Sequence, residues 1–301
     1  MGKANKLFLI FATCFFFLGA GIFVIAMSLN GWDFKKIGGH NYQTNSYTMT
    51  EDFNSIFIDV DTTDIVIRAS EDGTCKVVCY ETEKVKHTVS VNEDTLIIKE
   101  TDERKFYDKI FAGGRTHLTL YLPKTNYQTL SIKESTGDIE VYKELSFENT
   151  EIQLSTGDVK YYANTSTSLK IKTSTGDIYV ENISAGLVGL TVSTGDTVVK
   201  SVYCTEFTSE GSTGDIRLEN VIATEKLSIE RDTGDVQLTA CDAGEIVIET
   251  DTGDVNGTLL SGKTFYAETD TGRVDVPKTT TGGRCQITTD TGDIKIKILE
   301  A

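Results

Sequence analysis

The strongest constraint on this chain is a triplet: Thr-Gly-Asp, or a one-residue variant, recurs nine times between residues 136 and 293 at intervals of 19 or 20 residues. Its glycines are Gly137, Gly157, Gly176, Gly195, Gly214, Gly234, Gly253, Gly272 and Gly292. A period this short means small units, none able to bury a core alone, so each must be laid on the next.

Alignment on the glycine shows what each unit is. Two residues after it stand Ile139, Val159, Ile178, Thr197, Ile216, Val236, Val255, Val274 and Ile294, every one β-branched. Apolar residues such as Val141, Val180 and Val199 mostly follow two places on, with Glu140, Lys160 or Arg217 in the position between. That period-two pattern predicts a short strand with one buried face. Five residues before the glycine, Ile132, Ile152, Ile171, Leu190, Ile229, Ile248 and Ile287 end a second strand. A third apolar column, seven after the glycine, runs Ile183, Val202, Val221, Cys241 and Leu260. Three inward patches per unit suit a coil of roughly three sides, with the triplet as a corner. Glycine there allows positive φ, and Asp accepts bonds from free turn amides. Stacked coils would pair in parallel about 4.8 Å apart. The predicted fold class is all-β, a single-domain parallel β-solenoid (β-helix) of 19–20-residue coils. A propeller fits less well, because its blades need about 40 residues and four strands.

Leu7 to Leu29 holds no charge over 23 residues, preceded by Lys3 and Lys6 and followed by Trp32, Lys35 and Lys36. It is long enough to span a bilayer as a helix and longer than the apolar core of a cleaved signal peptide. The predicted organisation is an N-terminal transmembrane signal anchor over 1–30, a linker over 31–52, degenerate coils and an N-terminal cap over 53–129, and regular repeats over 130–301. The basic start predicts a single pass through the cell membrane, with the C-terminal domain extracellular. Asp102 to Gly114 interrupts the alternation with aromatic and basic residues, read as a segment folded over the end of the stack. At the other end Ile294, Ile296 and Ile298 predict an uncovered strand edge open to end-to-end self-association, with Lys295 and Lys297 as charges that discourage it.

The net charge of −16 disfavours nucleic acid as a partner. Of six cysteines, Cys14 falls in the apolar run; Cys75 and Cys79 are too far apart along a strand to bond each other, and Cys241 and Cys285 replace apolar residues, so they read as core fillers. Asp232, Asp251, Asp270 and Asp290 each precede Thr-Gly, the aspartic-protease triplet. That chemistry needs two carboxylates converging from pseudo-symmetric lobes rather than a ladder. The acidic columns raise calcium as a weak alternative to a structural role, with Asp232, Asp235, Asp251, Asp254, Asp290 and Asp293 as candidate ligands. Arg273, the exception in its column, reads as a neutralising charge between Asp254 and Asp293. His40, His87 and His117 stand isolated, and His117 is expected to face solvent. No catalytic residue and no cofactor site is predicted, and the chain is read as non-enzymatic.

The apolar anchor, the strand run from Phe53 to Arg68, the Tyr121-Leu122-Pro123 segment and the Ser-Thr-Gly-Asp-Ile or Asp-Thr-Gly-Asp-Val units together resemble the bacterial putative-adhesin domain of unknown function, in its membrane-anchored Firmicutes form. The resemblance covers about residues 53–298. It implies a surface or envelope β-solenoid anchored through residues 7–29, with an unknown protein or a cell-wall or glycan partner. An accessory modulator of envelope-stress signalling, acting through protein contact, is the alternative. The resemblance carries over no catalytic residues.

Overall fold

Short apolar-alternating segments on either side of a glycine corner become strands that find partners one period away. The computed structural model describes residues 3–29, 32, 42–104 and 116–299. After helix α1 (Lys3–Leu29) come β1 (Tyr42–Met49), β2 (Ser55–Val60), β3 (Thr63–Ala69), β4 (Cys75–Thr82), β5 (Val85–Asn92), β6 (Thr95–Asp102) and β7 (Thr116–Leu122). The early repeats supply β8 (Asn126–Thr136), β9 (Ile139–Val141), β10 (Ser146–Thr156), β11 (Val159–Tyr161), β12 (Asn164–Thr175), β13 (Ile178–Ser184) and β14 (Leu187–Thr194). Then come the long strands β15 (Thr197–Thr213), β16 (Ile216–Thr233) and β17 (Val236–Thr252), which each run on through the next coil's wall. The chain closes with β18 (Val255–Leu259), β19 (Lys263–Thr271), β20 (Val274–Asp275), β21 (Gly283–Thr291) and β22 (Ile294–Ile298).

The result is mostly β, a β-solenoid with coils of about 20 residues. Ile132, Ile152 and Ile171 stack in register through parallel pairing of β8, β10 and β12. The column two after the glycine is buried throughout except at Val274, which is 43% exposed. The third column is also internal, with one slip: a register shift between Leu238 and Cys241 places Leu259 opposite Cys241. Leu259 is therefore buried and Leu260 is exposed.

The end of the stack departs from serial order. Strand β17 pairs with β21, and β19 lies outside β21. On the adjoining wall β18 pairs with β22, and β20 lies outside that. The last unit in sequence is thus inserted beneath the one before it. Cys285, Ile287, Ile294 and Ile296 make an inward face fit for covering on both sides, whereas the unit over 263–275 is poorer in buried apolar residues. The weaker unit becomes the end layer, as capping repeats do. The expected open edge at Ile294, Ile296 and Ile298 is corrected in part: β20 covers β22 at Ile294 and Lys295, among the described residues Ile296 to Ile298 pair with β18 alone, and on the adjoining wall the free edge is β19.

At the other end, β2 and β3 form a parallel coil on β8 and β9. Beyond it lie β6 and β7, and then β5 and β4, which run antiparallel to them; β1 adds an antiparallel edge on β4. Part of the expected linker is therefore a strand of the cap. Residues 105–115, which include most of the expected insertion, lie outside the described residues.

The expected transmembrane helix is reduced to an amino-terminal helix. Among the described residues no helix is long and apolar enough to cross a membrane. Side chains at 7–10, 26 and 29 lie outside those described, so the run is described without a gap only from Phe11 to Ile25.

Two further features are not visible in the repeat pattern. Arg231 is buried, with its guanidinium Nη2 donating to Thr197 Oγ1 at 3.1 Å and Ser209 Oγ at 3.0 Å. Gly211 makes the room, since a Cβ there would lie 2.6 Å from Arg231 Nη1. A second corner also recurs, six residues after the glycine, where Asn182, Ser201, Asn220 and Ala240 hold φ between 52 and 59°. Left-handed backbone costs a residue with a Cβ about 1–2 kcal/mol, least for Asn. Ala240→Gly is therefore expected to stabilise the fold by about 0.5–1 kcal/mol in chemical denaturation, and Asn220→Gly by less.

Candidate functional site

The repeated motif is the first place to look for chemistry, and its geometry is a backbone device. At each corner after the first, where Gly137 meets Thr63 O, the glycine approaches the glycine of the neighbouring coil: a Cβ on Gly176 (φ 131°) would fall 2.0 Å from Gly157 O, and one on Gly214 (φ 130°) 2.1 Å from Gly195 O. The next amide, that of the Asp, donates instead to the side chain of the preceding coil's Asp. Asp158 N donates to Asp138 Oδ1 at 3.0 Å, Asp177 N to Asp158 Oδ1 at 2.8 Å, and Asp196 N to Asp177 Oδ1 at 2.8 Å. Asp64, in the stretch Asp61-Thr62-Thr63-Asp64 that stands where a repeat corner would, starts the ladder by accepting from Asp138 N at 3.0 Å.

The candidate calcium ligands fall into two groups. Asp235 Oδ1 accepts from Asp254 N at 2.8 Å, Asp254 Oδ1 from Asp293 N at 2.7 Å, and Asp293 Oδ1 from Arg273 N at 2.8 Å. Each of the three commits an oxygen to an amide, the structural turn role. Asp232, Asp251 and Asp290 stand exposed on the wall before the corner, on separate strands. The Arg273 reading needs correction, because the reordered end puts Asp293, not Arg273, next to Asp254. Among the described residues Arg273 pairs with Asp293 alone, Nη2 to Oδ2 at 3.0 Å. It occupies the outermost coil, where no further amide awaits a carboxylate. The Arg273 amide, and then its side chain, hold the Asp293 carboxyl below its ordinary value.

Gly214→Ala would force a Cβ into Gly195 O at a left-handed φ. The expected loss is on the order of 3 kcal/mol or more, read as a fall in melting temperature; an unchanged midpoint would show that the corner yields freely.

Among the described residues the densest polar cluster lies in the N-terminal cap, where five strands bring together residues far apart in sequence. His87, read from sequence as isolated, is buried with Nδ1 2.9 Å from Glu81 Oε2 and Nε2 3.2 Å from Thr63 Oγ1. Thr63 Oγ1 also donates to Glu100 Oε2 at 2.8 Å, and Glu81 Oε1 accepts from Asn45 Nδ2. A hydroxyl, an imidazole and a carboxylate in line resemble a hydrolase triad in distances, yet Thr63 has 0% exposure. Two groups of metal-ligating atoms converge here: Cys79, Glu81 and His87, and Asp61, Glu100 and Asp102. Burial pushes the Cys79 thiol up to about 12, away from the thiolate that binds metal. In the second group Asp102 is engaged by Arg104, with Nε to Oδ1 at 2.8 Å. His117 is 54% exposed, as expected, with Nδ1 3.2 Å from Asp64 Oδ2.

The outlying acid of the cluster is Glu134, a buried side chain whose Oε2 has no partner among the described residues and whose Oε1 accepts from Thr63 N at 3.3 Å. Burial raises its pKa from 4.5 to about 9. The fold holds the protonated form, so its contribution to stability is complete below about pH 4.5 and is lost as pH rises toward about 9. Glu134→Gln, which keeps the shape without the titration, is expected to raise stability at pH 8 by about 1–3 kcal/mol and to flatten its decline between pH 5 and 9. Melting curves across that range check both.

A shallow groove of about 620 Å³ runs beside the cap, lined by Arg68, Ser70, Asp72, Lys76, Tyr121 and Tyr142 among others. Its Asp72 accepts from Ser70 Oγ, Thr74 N and Thr74 Oγ1, which pull its carboxyl down to about 2. That acid is a turn acceptor. All six cysteines are free and five of them are buried, consistent with core filling.

Comparison with known proteins agrees with this architecture. The family model Toastrack DUF4097 matches residues 53–246 and 204–301. The crystal structure of a putative adhesin from Bacteroides fragilis is similar, with a TM-score of 0.50 and 17% identity over 86% of this chain and 99% of that one. A putative lipid binding protein from Parabacteroides distasonis superposes with a TM-score of 0.51 and 13% identity, over 86% of this chain and 98% of that one. At such identities the likeness concerns the fold. No curated protein matches the chain.

Proposed function

The chain belongs to the Toastrack DUF4097 family, and from that premise we propose a non-enzymatic, adhesin-like interaction scaffold of the cell envelope. The carrying observation is where the repeat's chemistry goes. The acids after the glycine serve neighbouring amides, and the stack presents outward a broad, regular wall of exposed polar side chains rather than a cleft. Regular stacks suit extended contact surfaces. The Bacteroides neighbour is named a putative adhesin, and adhesion is taken from it only as the reading to be tested.

The same proposal holds the protein at the cell membrane through residues 7–29, as a single pass with the solenoid outside. Support comes from α1 and its sequence: every residue from Phe11 to Ile25 is exposed, including Phe15 at 70% and Phe16 at 72%. A helix apolar on all sides calls for lipid or protein cover. The partner on the far side is an unknown protein or a cell-wall or glycan surface.

Cells carrying the full chain test this in two steps. The protein should stay with membranes through alkaline extraction, and protease added to intact cells should remove the solenoid. Cells displaying it should bind cell wall, glycan or other cells better than cells without it. Release into the soluble fraction would remove the anchor, and equal binding to all three surfaces would remove adhesion. Capture of a membrane signalling protein in place of a surface would favour the modulator alternative.

A further inference from the structure

The wall before the corner carries its charges in an order that sequence spacing hides. Following the register of the parallel strands, one outward row runs Lys99, Asp59, Lys133, Gln153, Lys172 and Thr191, with uncharged Thr88 of antiparallel β5 beyond Lys99. It continues Glu210, Glu230, Glu249, Thr288 and Glu268. The lysines and glutamates of this row are all exposed. The lysines all occupy the amino-terminal half, with Asp59 the one acid among them, and the glutamates all occupy the other. Glu210, Glu230 and Glu249 are direct neighbours across paired strands, a placement that destabilises a sheet. No ion pair is formed by Glu210, Glu230, Glu249 or Glu268 among the described residues.

The row also has a symmetry. A two-fold axis in the plane of the wall, parallel to the strands at Thr191, reverses the order of rungs and lays each row of one copy on the same row of another. It sets Lys99 opposite Glu268, Lys133 opposite Glu249 and Lys172 opposite Glu210. Of the remaining rungs, Asp59 faces Thr288 and Gln153 faces Glu230, so no charge in the row meets its like. We propose that this wall is a self-complementary interface on which a second copy of the chain docks face to face with its solenoid axis reversed.

Two neighbouring rows support the same operation. Among the parallel strands, the row on one side runs from Ile97 to Tyr266, which is 58% exposed, so the axis sets an apolar pair at each end of those strands. On the other side lies the column two residues before each glycine, serine in the early coils and Asp from Asp232 on, and the axis brings Asp232 to Ser155 and Asp251 to Ser135. Asp290 meets Asp61, the one like-charge contact in that column. With rungs about 4.8 Å apart, the row is roughly 50 Å long, and a width of roughly 20 Å gives about 1,000 Å² per partner, above the ~800 Å² of a standard interface. The pairing requires neither the membrane placement nor an adhesion ligand, so its failure would leave the proposed function standing.

The test uses the full chain in detergent, in a Cys14→Ser background. Sedimentation at about 50 mM salt should show a dimer that dissociates as salt rises. A reversal of the acidic end, Glu210→Lys with Glu249→Lys and Glu268→Lys, should weaken self-association about tenfold or more. A reversal of the basic end, Lys99→Glu with Lys133→Glu and Lys172→Glu, should do the same. Mixed together, the two variants should pair with each other. Thr191→Cys, on the axis, should give a disulfide-linked dimer on oxidation, while Lys160→Cys on the adjoining wall should not. A monomer at about 100 µM would overturn the proposal. So would a dimer indifferent to both reversals, one that forms only with added calcium, or equal cross-linking at 160 and 191. Should a reversed variant misfold, the Thr191→Cys and Lys160→Cys pair still decides.

Discussion

Everything in this stack depends on the hydrogen bond from the amide of one corner Asp to the carboxylate of the Asp one coil earlier. The glycine turns the chain so tightly that the carbonyl of the preceding glycine points at its Cα, leaving the next amide without a backbone acceptor. A buried or half-buried amide without a partner is costly, and nine carboxylate bonds of 2.7–3.0 Å remove that cost along the edge. Charge-assisted bonds of this kind also answer the repulsion expected of stacked aspartates. Glycine and Asp are thus two halves of one device, and replacing either disturbs the layer above as well as its own.

The device explains both ends. At the start, Asp64 serves Asp138 although its own corner carries Thr63 where the repeats carry glycine, and that threonine is the hub of the buried cap network. At the finish, Arg273 replaces Asp in the layer that has no successor. Between them, a unit with a strong inward face was inserted ahead of a weaker one, so that the poorer layer meets solvent. The ends differ from the middle because a stack must stop somewhere, and stopping requires polar or irregular layers.

The outward surface follows a different logic from the core. Columns that point inward are nearly uniform, since each layer must match the next in shape. Outward columns are free to vary, and here they separate lysine from glutamate along the axis. An arrangement that strains the isolated wall becomes favourable when its mirror order is supplied from outside.

Much of this was legible from periodicity alone. A 19- or 20-residue repeat with β-branched columns requires a parallel stack, because period and face fix which residues turn inward. The corner role of glycine and Asp followed from turn chemistry. The slip that buries Leu259 in place of Leu260, the left-handed corner at Ala240, the pocket that Gly211 opens for Arg231 and the meeting of His87 with Glu81 and Thr63 depend on packing between distant segments. The same holds for the order of the last two coils. Sequence determined that the units stack and what each corner must do, since both are local demands of backbone geometry and hydrogen bonding. Only the tertiary structure decided which unit lies against which, because that choice compares the burial of whole layers, and with it the order of charges on the wall.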